Sequence, residues 1–158
     1  EGSFQAFDGL HTYVVSNQGI VKISMSDVSS IDTKDSEFFC NTGSPHVVKF
    51  VDVVEKVDVH NEGFSIRNND FWRNHGGTNV NFVQLINSEN KLSGRTFERG
   101  VEGETYSCGT GVTAAARDIL TQKCNKCHRE FTPGSLVSEC KFSFFFPQCL
   151  LSLDHRTN

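Results

Sequence analysis

The stretch that most limits what this chain can fold into is residues 95–116, RTFERGVEGETYSCGTGVTAAA. Cys108 stands immediately before Gly109-Thr110-Gly111, and a run of small residues, 112–116, follows at once. Ala114, Ala115 and Ala116 make a slim, strongly helical rod. Such a rod suits the centre of a surrounding sheet, where wider side chains would not fit, so residues 109–120 are predicted to form a central helix. A helix start leaves backbone N–H groups unpaired and carries partial positive charge. Glycines let that backbone approach an anion closely, so the turn can hold a carboxylate. The same field favours a thiolate. A base and an anion cradle are therefore expected side by side. The competing reading is a buried cysteine acting as a small core hydrophobe in a tight strand-to-helix turn.

The rest of the chain supplies material for a sheet. Residues 13–15 and 19–25 flank Ser16-Asn17-Gln18 and read as a hairpin. In the second arm Val21, Ile23 and Met25 alternate with Lys22 and Ser24, which predicts a half-buried strand. Residues 26–37 are polar and read as a connection. Phe38-Phe39-Cys40 is a short apolar strand, ended by the Gly and Pro of Asn41-Thr42-Gly43-Ser44-Pro45. Residues 46–51 form the next strand. Asp58 is the predicted N-cap of a short helix with Val59, Gly63 and Ile66 on one face. Residues 68–77 are polar and read as a loop. Residues 78–86 are a strand with Asn79, Asn81, Val83 and Leu85 on one face and Val80, Phe82, Gln84 and Ile86 on the other. Residues 91–98 return alongside.

Composition narrows the function. A chain of 158 residues suffices for one domain with a real core. A hydrophobic content of 37% with 22% charged residues describes a soluble globular protein. A net charge of −4 and the lack of a Lys/Arg stripe argue against nucleic acid as a partner. No apolar run approaches the ~18 residues of a transmembrane helix, so no membrane partner is expected. The N-terminus lacks a signal-peptide pattern. Position 1 is Glu rather than Met, so the chain is expected to be a piece of something longer. The 6 cysteines could pair as disulfides in a secreted protein, but nothing else points to export, and reduced thiols in the cytoplasm are the expectation.

Cys124-Asn125-Lys126-Cys127-His128 is a literal CxxCH, the attachment pattern of c-type haem. Haem would need an export signal and an axial-ligand context. Zinc would want a second short-spaced ligand pair, which Cys140 and Cys149 do not make. Neither haem nor a metal is therefore expected.

Four ordered motifs carry a resemblance to a known family: Ala6-Phe7-Asp8-Gly9-Leu10-His11, Asn41-Thr42-Gly43-Ser44-Pro45-His46, Gly77-Thr78-Asn79-Val80-Asn81-Phe82-Val83, and Glu98-Arg99-Gly100 leading into Cys108-Gly109-Thr110-Gly111. In order and spacing, from about residue 4 to about residue 120, the chain resembles the C-terminal half of the diaminopimelate epimerases, cofactor-independent isomerases of lysine biosynthesis. The resemblance implies an α+β fold, a curled, mostly antiparallel sheet around the helix, one of two similar domains. Residues 1–140 would be that C-terminal domain and residues 141–158 a divergent tail. Phe131-Thr132-Pro133-Gly134-Ser135-Leu136-Val137 resembles the family's closing hairpin without its second turn glycine.

The resemblance also implies a reaction. Inverting an amino acid's α-carbon needs a base on one face and an acid on the other, and two cysteines can serve. Cys108 would be one of them. Its opposite in the family comes from the N-terminal half, in a CGNG-like turn that this chain does not contain. Cys40 lacks the flanking glycines. The N–H groups of Gly109 and Thr110 would stabilise charge on the substrate carboxylate. The resemblance places His46 and Glu98 near the reacting centre. It places Arg99, with Asn79 beside it, at the substrate's distal carboxylate, which the planar guanidinium fork suits. Ser44 stands where many members carry Asn and can donate only one hydrogen bond. A surface or packing role is the plain alternative for His46, Glu98 and Arg99. The expected partners are a small-molecule amino acid and the missing N-terminal domain, with a homodimer left open. The rivals are another amino-acid racemase or epimerase of the same fold, and a non-catalytic fragment.

Overall fold

The computed structural model describes residues 1–74, 76–86, 91–106, 108–121, 141–146 and 149–154. Two sheets form. Strands β1 (Gly2–Ala6), β2 (Gly9–Val15) and β3 (Val21–Ile23) make an antiparallel three-stranded sheet. The predicted hairpin is thus present, with β1 added before it. Its second arm is not half-buried as predicted: Val21 is 55% and Ile23 is 49% exposed. Alternation gives β3 an apolar face, but among the described residues nothing packs on that face. His11 is buried between the Ser24 carbonyl and Asp8, at 2.8 and 2.9 Å, and Ser26 donates to the other Asp8 oxygen, so the β1–β2 turn and the chain after β3 are tied together.

The larger sheet joins β4 (Asp32–Lys34), β5 (Glu37–Asn41), β6 (Pro45–Phe50), β7 (Asn79–Ile86), β8 (Lys91–Glu98), β9 (Gly103–Thr105), β10 (Lys141–Phe146) and β11 (Cys149–Asp154). Most neighbours are antiparallel, but β6 runs parallel to β7 and β10 parallel to β8. β4 lies inside the segment read as a connection. The predicted hairpin at residues 131–137 and the Cys124-to-His128 motif lie outside the described residues, as do the side chains of Cys140 and Cys149.

One face of this sheet holds the apolar core. Phe39, Val47, Val80, Phe82 and Phe97 pack with Val54 from a 3-10 turn (Val54–Lys56), with Val59 and Ile66 from helix α1 (Val59–Arg67), and with Trp72 from helix α2 (Asp70–Arg73). The Asp58 side chain accepts the Asn61 N–H and caps α1, whose buried residues are Val59, Gly63 and Ile66, as the spacing predicts. Gly63 is needed because a Cβ there would run into the Phe97 side chain. The segment read as a loop contains α2. Asn69 caps it by accepting from Phe71 N, and the buried Trp72 stacks on Phe39 at 5.4 Å and donates its indole N–H to Glu37. That short helix exists because its tryptophan has a tertiary partner, which polarity alone could not reveal.

The opposite face carries helix α3 (Gly109–Thr121), which packs over β5, β6 and β7. Val112, Ala114, Ala115 and Ala116 are buried there, so the alanine rod does lie against the sheet. Toward it point Cys40, His46, Val48, Asn79, Asn81, Val83 and Thr96, by the register of β5 to β8. Four of these seven are polar and buried: His46, Asn79, Asn81 and Thr96.

Candidate active site

Buried polar groups must find partners, and at the start of α3 they find one another. The Cys108 carbonyl accepts the Val112 N–H at 3.0 Å, which sets Cys108 immediately before the first helical turn. The next N–H groups, those of Gly109, Thr110 and Gly111, then lack intrahelical acceptors. Gly109 is exposed, so this corner is open to a small anion. The corner is pinned from below: the buried Thr42 hydroxyl donates to the Thr110 carbonyl at 2.8 Å. Gly43 adopts a φ of +99°, and a Cβ there would collide with the Asp8 carboxylate. The loop before β6 is thereby shaped by glycine and held against the first sheet.

Around the thiol lies a connected set of polar side chains. Cys108 Sγ is 3.4 Å from Thr110 Oγ1, and Thr110 Oγ1 is 2.8 Å from His46 Nε2. Ser44 Oγ is 2.9 Å from the same nitrogen and 3.1 Å from Thr110 Oγ1. On the far side of the ring, Asn81 Nδ2 is 3.0 Å from His46 Nδ1. His46 is fully buried, and burial pulls its pKa down to about 4, with the Arg99 charge acting in the same direction. At neutral pH this ring is uncharged. It can donate or accept a hydrogen bond, but it does not supply an imidazolium.

The predicted residues thus divide. Cys108, Thr110, Ser44 and His46 meet in one cluster, with Gly109 at its edge. Asn79 is buried beside it: its amide oxygen accepts the Arg99 N–H at 2.8 Å and its amide nitrogen donates to the Pro45 carbonyl at 3.1 Å. Asn79 therefore ties the end of β8 to the start of β6. Arg99 is exposed and donates from Nη1 to the Gly76 carbonyl at 3.0 Å. Glu98 ends β8, half-buried, and among the described residues it has no hydrogen bond to the cluster. Cys40 is the contrast to Cys108. It is buried on β5 opposite His46, and burial together with the Asp118 charge pushes its thiol up to about 12, Arg117 opposing. That thiol stays protonated and inert at neutral pH.

Sequence reasoning missed Asn81 and Thr96. Thr96 Oγ1 donates to Asn81 Oδ1 at 3.0 Å, and Asn81 Nδ2 also donates to the Val47 carbonyl at 3.0 Å. The available signal was the alternation that places Asn79 and Asn81 on one strand face. Two amides on the same side of a buried strand ask for polar company. Gly111 was likewise only part of a motif. A Cβ on it would strike Asn81 Oδ1 and come within 3.3 Å of the His46 ring, so the helix can approach these side chains only as glycine. Among the described residues, no group of His, Cys, Asp and Glu side chains is arranged to hold a metal, and no helix is long and apolar enough to cross a membrane.

Comparison with known proteins gives a consistent picture. A family model described as diaminopimelate epimerase matches residues 38–143. The diaminopimelate epimerase of Flavobacterium psychrophilum is 46% identical over 114 residues, covering 72% of this chain and 44% of that protein. That of Chlorobaculum tepidum is 51% identical over 79 residues, 49% of this chain and 30% of that protein. That of Aquifex aeolicus is 54% identical over 78 residues, 49% of this chain and 27% of that protein. The matched segment thus spans less than half the length of each of these relatives.

Proposed function

The chain belongs to the diaminopimelate epimerase family, and from that premise we propose that it supplies one half of an isomerase site that interconverts LL- and meso-diaminopimelate by a two-thiol mechanism without a cofactor. The observation that carries the reading is the position of Cys108. It is a half-buried thiol at a helix start, beside unpaired backbone N–H groups and within reach of a hydroxyl held by a neutral histidine.

The chemistry runs as follows. A thiolate takes the α-proton from one face, and the electron pair left behind delocalises into the α-carboxylate. The N–H groups of Gly109 and Thr110 stabilise that charge without reorganising. A thiol on the opposite face then delivers its own proton, so one proton leaves, one arrives and the configuration inverts. Cys108 serves as one of the two thiols. Arg99 binds the distal carboxylate, and Asn79 orients it by holding its backbone N–H. Glu98 sits next to Arg99 and faces the substrate ammonium. Ser44 and Thr110 line the cradle, and His46 polarises them as a neutral ring.

The second thiol comes from a partner half. Two observations support this. The match covers 44% of the Flavobacterium protein. The three-stranded sheet also leaves Phe4, Val15, Val21 and Ile23 exposed on one face, which a further domain would cover.

Incubation with the LL isomer in heavy water tests the proposal. The full-length protein should yield the meso isomer with deuterium at the inverted carbon. Residues 1–158 alone should yield none. Meso product from the isolated chain would mean that these residues hold a second acid, and no product from the full-length protein would refute the activity itself.

A further inference from the structure

We propose that Asn81 is a positioning residue for the Cys108 thiol: it fixes the protonated nitrogen of His46 and thereby turns the Thr110 hydroxyl proton toward Cys108 Sγ. The inference rests on the reading of Cys108 as the working thiol.

The orientation of the Asn81 amide follows from its surroundings. One of its polar atoms lies 3.0 Å from the Val47 carbonyl oxygen, which can only accept. That atom is therefore the amide nitrogen, and the other, 3.0 Å from the Thr96 hydroxyl, is the oxygen. The nitrogen has two hydrogens. One goes to Val47 and the other points at His46 Nδ1 at 3.0 Å. Nδ1 must then carry a lone pair, and because the buried ring is neutral its single proton sits on Nε2. Nε2–H faces two hydroxyl oxygens, Thr110 at 2.8 Å and Ser44 at 2.9 Å, and donates to them. Ser44 Oγ, 3.1 Å from Thr110 Oγ1, donates its own proton to the second lone pair of that oxygen, so with both lone pairs engaged the Thr110 proton turns outward. The sulfur of Cys108 lies there at 3.4 Å.

The result is a chain of donors with a fixed direction: Thr96 to Asn81, Asn81 to His46, His46 to Thr110, and Thr110 to Cys108. It ends on the sulfur as a donor, which favours the thiolate over the thiol. The opposite tautomer would reverse the last two links. Nε2 would then accept the Thr110 proton, and the hydroxyl would offer the sulfur only a lone pair. A single amide, buried beneath α3, thus selects which charge state of the thiol is supported. Gly111 is part of the device, since any side chain there would displace Asn81.

The test uses the full-length protein, with 15N-labelled histidine to report the His46 tautomer and iodoacetamide alkylation of Cys108 at pH 7, read by peptide mass spectrometry, to report the thiolate. The wild type should show Nε2–H. In Asn81→Asp the carboxylate can only accept, so the ring proton should move to Nδ1 and Cys108 alkylation should slow about tenfold. Asn81→Ala covers the case in which the buried carboxylate prevents folding; it should give a mixed tautomer and a smaller slowing. Thr110→Val should slow alkylation while leaving the tautomer at Nε2–H, and Thr110→Ser should restore the rate. Adding Asn81→Asp to Thr110→Val should slow it no further. An unchanged tautomer in both Asn81 variants would overturn the proposal, as would equal slowing by Asn81→Asp with and without the Thr110 hydroxyl. Retained turnover in Cys108→Ala would instead overturn the function assigned to the thiol, which these measurements do not read.

Discussion

The two faces of β7 are built for different purposes from the same eight residues. On one face Val80 and Phe82 pack with Phe97, Val59 and Trp72 into a dry core. On the other Asn79 and Asn81 are buried too, but with polar partners: the Pro45 and Val47 carbonyls, the His46 ring, the Thr96 hydroxyl and the Arg99 N–H. Burial alone therefore does not distinguish core from site. The first face gains stability from contact area. The second spends buried volume on groups that would cost stability without partners, and obtains orientation in return. Substitutions on the first face should therefore act on folding, and those on the second on the thiol and its substrate.

The largest separation is expected from Phe82→Ala. Emptying that fully buried position should cost about 3–5 kcal/mol of stability in a urea titration, while the kcat of the molecules that remain folded stays close to wild type. A large fall in kcat at full occupancy of the folded state would show that the two faces are coupled.

A pH titration should break the symmetry next. The His46 pKa falls from 6.5 to about 4 on folding. Between those values the unfolded chain binds the extra proton, so stability must drop as the pH falls through that window. The drop is on the order of 3 kcal/mol. Asp118 works in the opposite sense, because burial raises its carboxyl from 3.8 to about 7 and favours folding as it takes up its proton. The effect of His46 is thus read as the difference between wild type and His46→Gln, which should shift in favour of the variant from pH 7 to pH 4. A difference that does not change with pH would mean the ring is not held neutral.

Two glycines give a matched pair. Ala at Gly63 would press on Phe97 and at Gly111 on Asn81. Each should cost about 1–3 kcal/mol of stability by overpacking. Only Gly111→Ala should also slow Cys108 alkylation, and equal alkylation rates in the two variants would erase the contrast. The smallest effect on stability belongs to the exposed Arg99. Arg99→Lys keeps the charge and loses the fork, so KM for diaminopimelate should rise about tenfold with the melting temperature unchanged. An unchanged KM would place the distal carboxylate elsewhere.

Much of this arrangement is legible in the sequence where local rules dominate. The Asp58 cap, the period of α1, the two faces of β7 and the helix after Cys108 all follow from neighbours along the chain. What escapes is set by distant partners. Trp72 makes α2 stable only because Phe39 and Glu37 lie beneath it. β6 and β7 pair in parallel only because α1 and α2 cross between them. Val21 and Ile23 alternate like a packed strand, yet nothing described packs on them. At the site, motif residues identify Cys108, Thr110, Ser44 and His46 as a group. The bonds that orient them run through Asn81 and Thr96, whose role appears only when β6, β7, β8 and α3 meet.

The central claim is that Cys108 is a working thiol of an isomerase site, and turnover of Cys108→Ala in the full-length protein tests it most directly. With the LL isomer as substrate, Cys108→Ala should form no detectable meso isomer and keep its melting temperature, while Cys40→Ala, which removes the buried inert thiol, should retain the turnover of its folded fraction. Meso product from Cys108→Ala at a rate near that of the wild type would contradict the account.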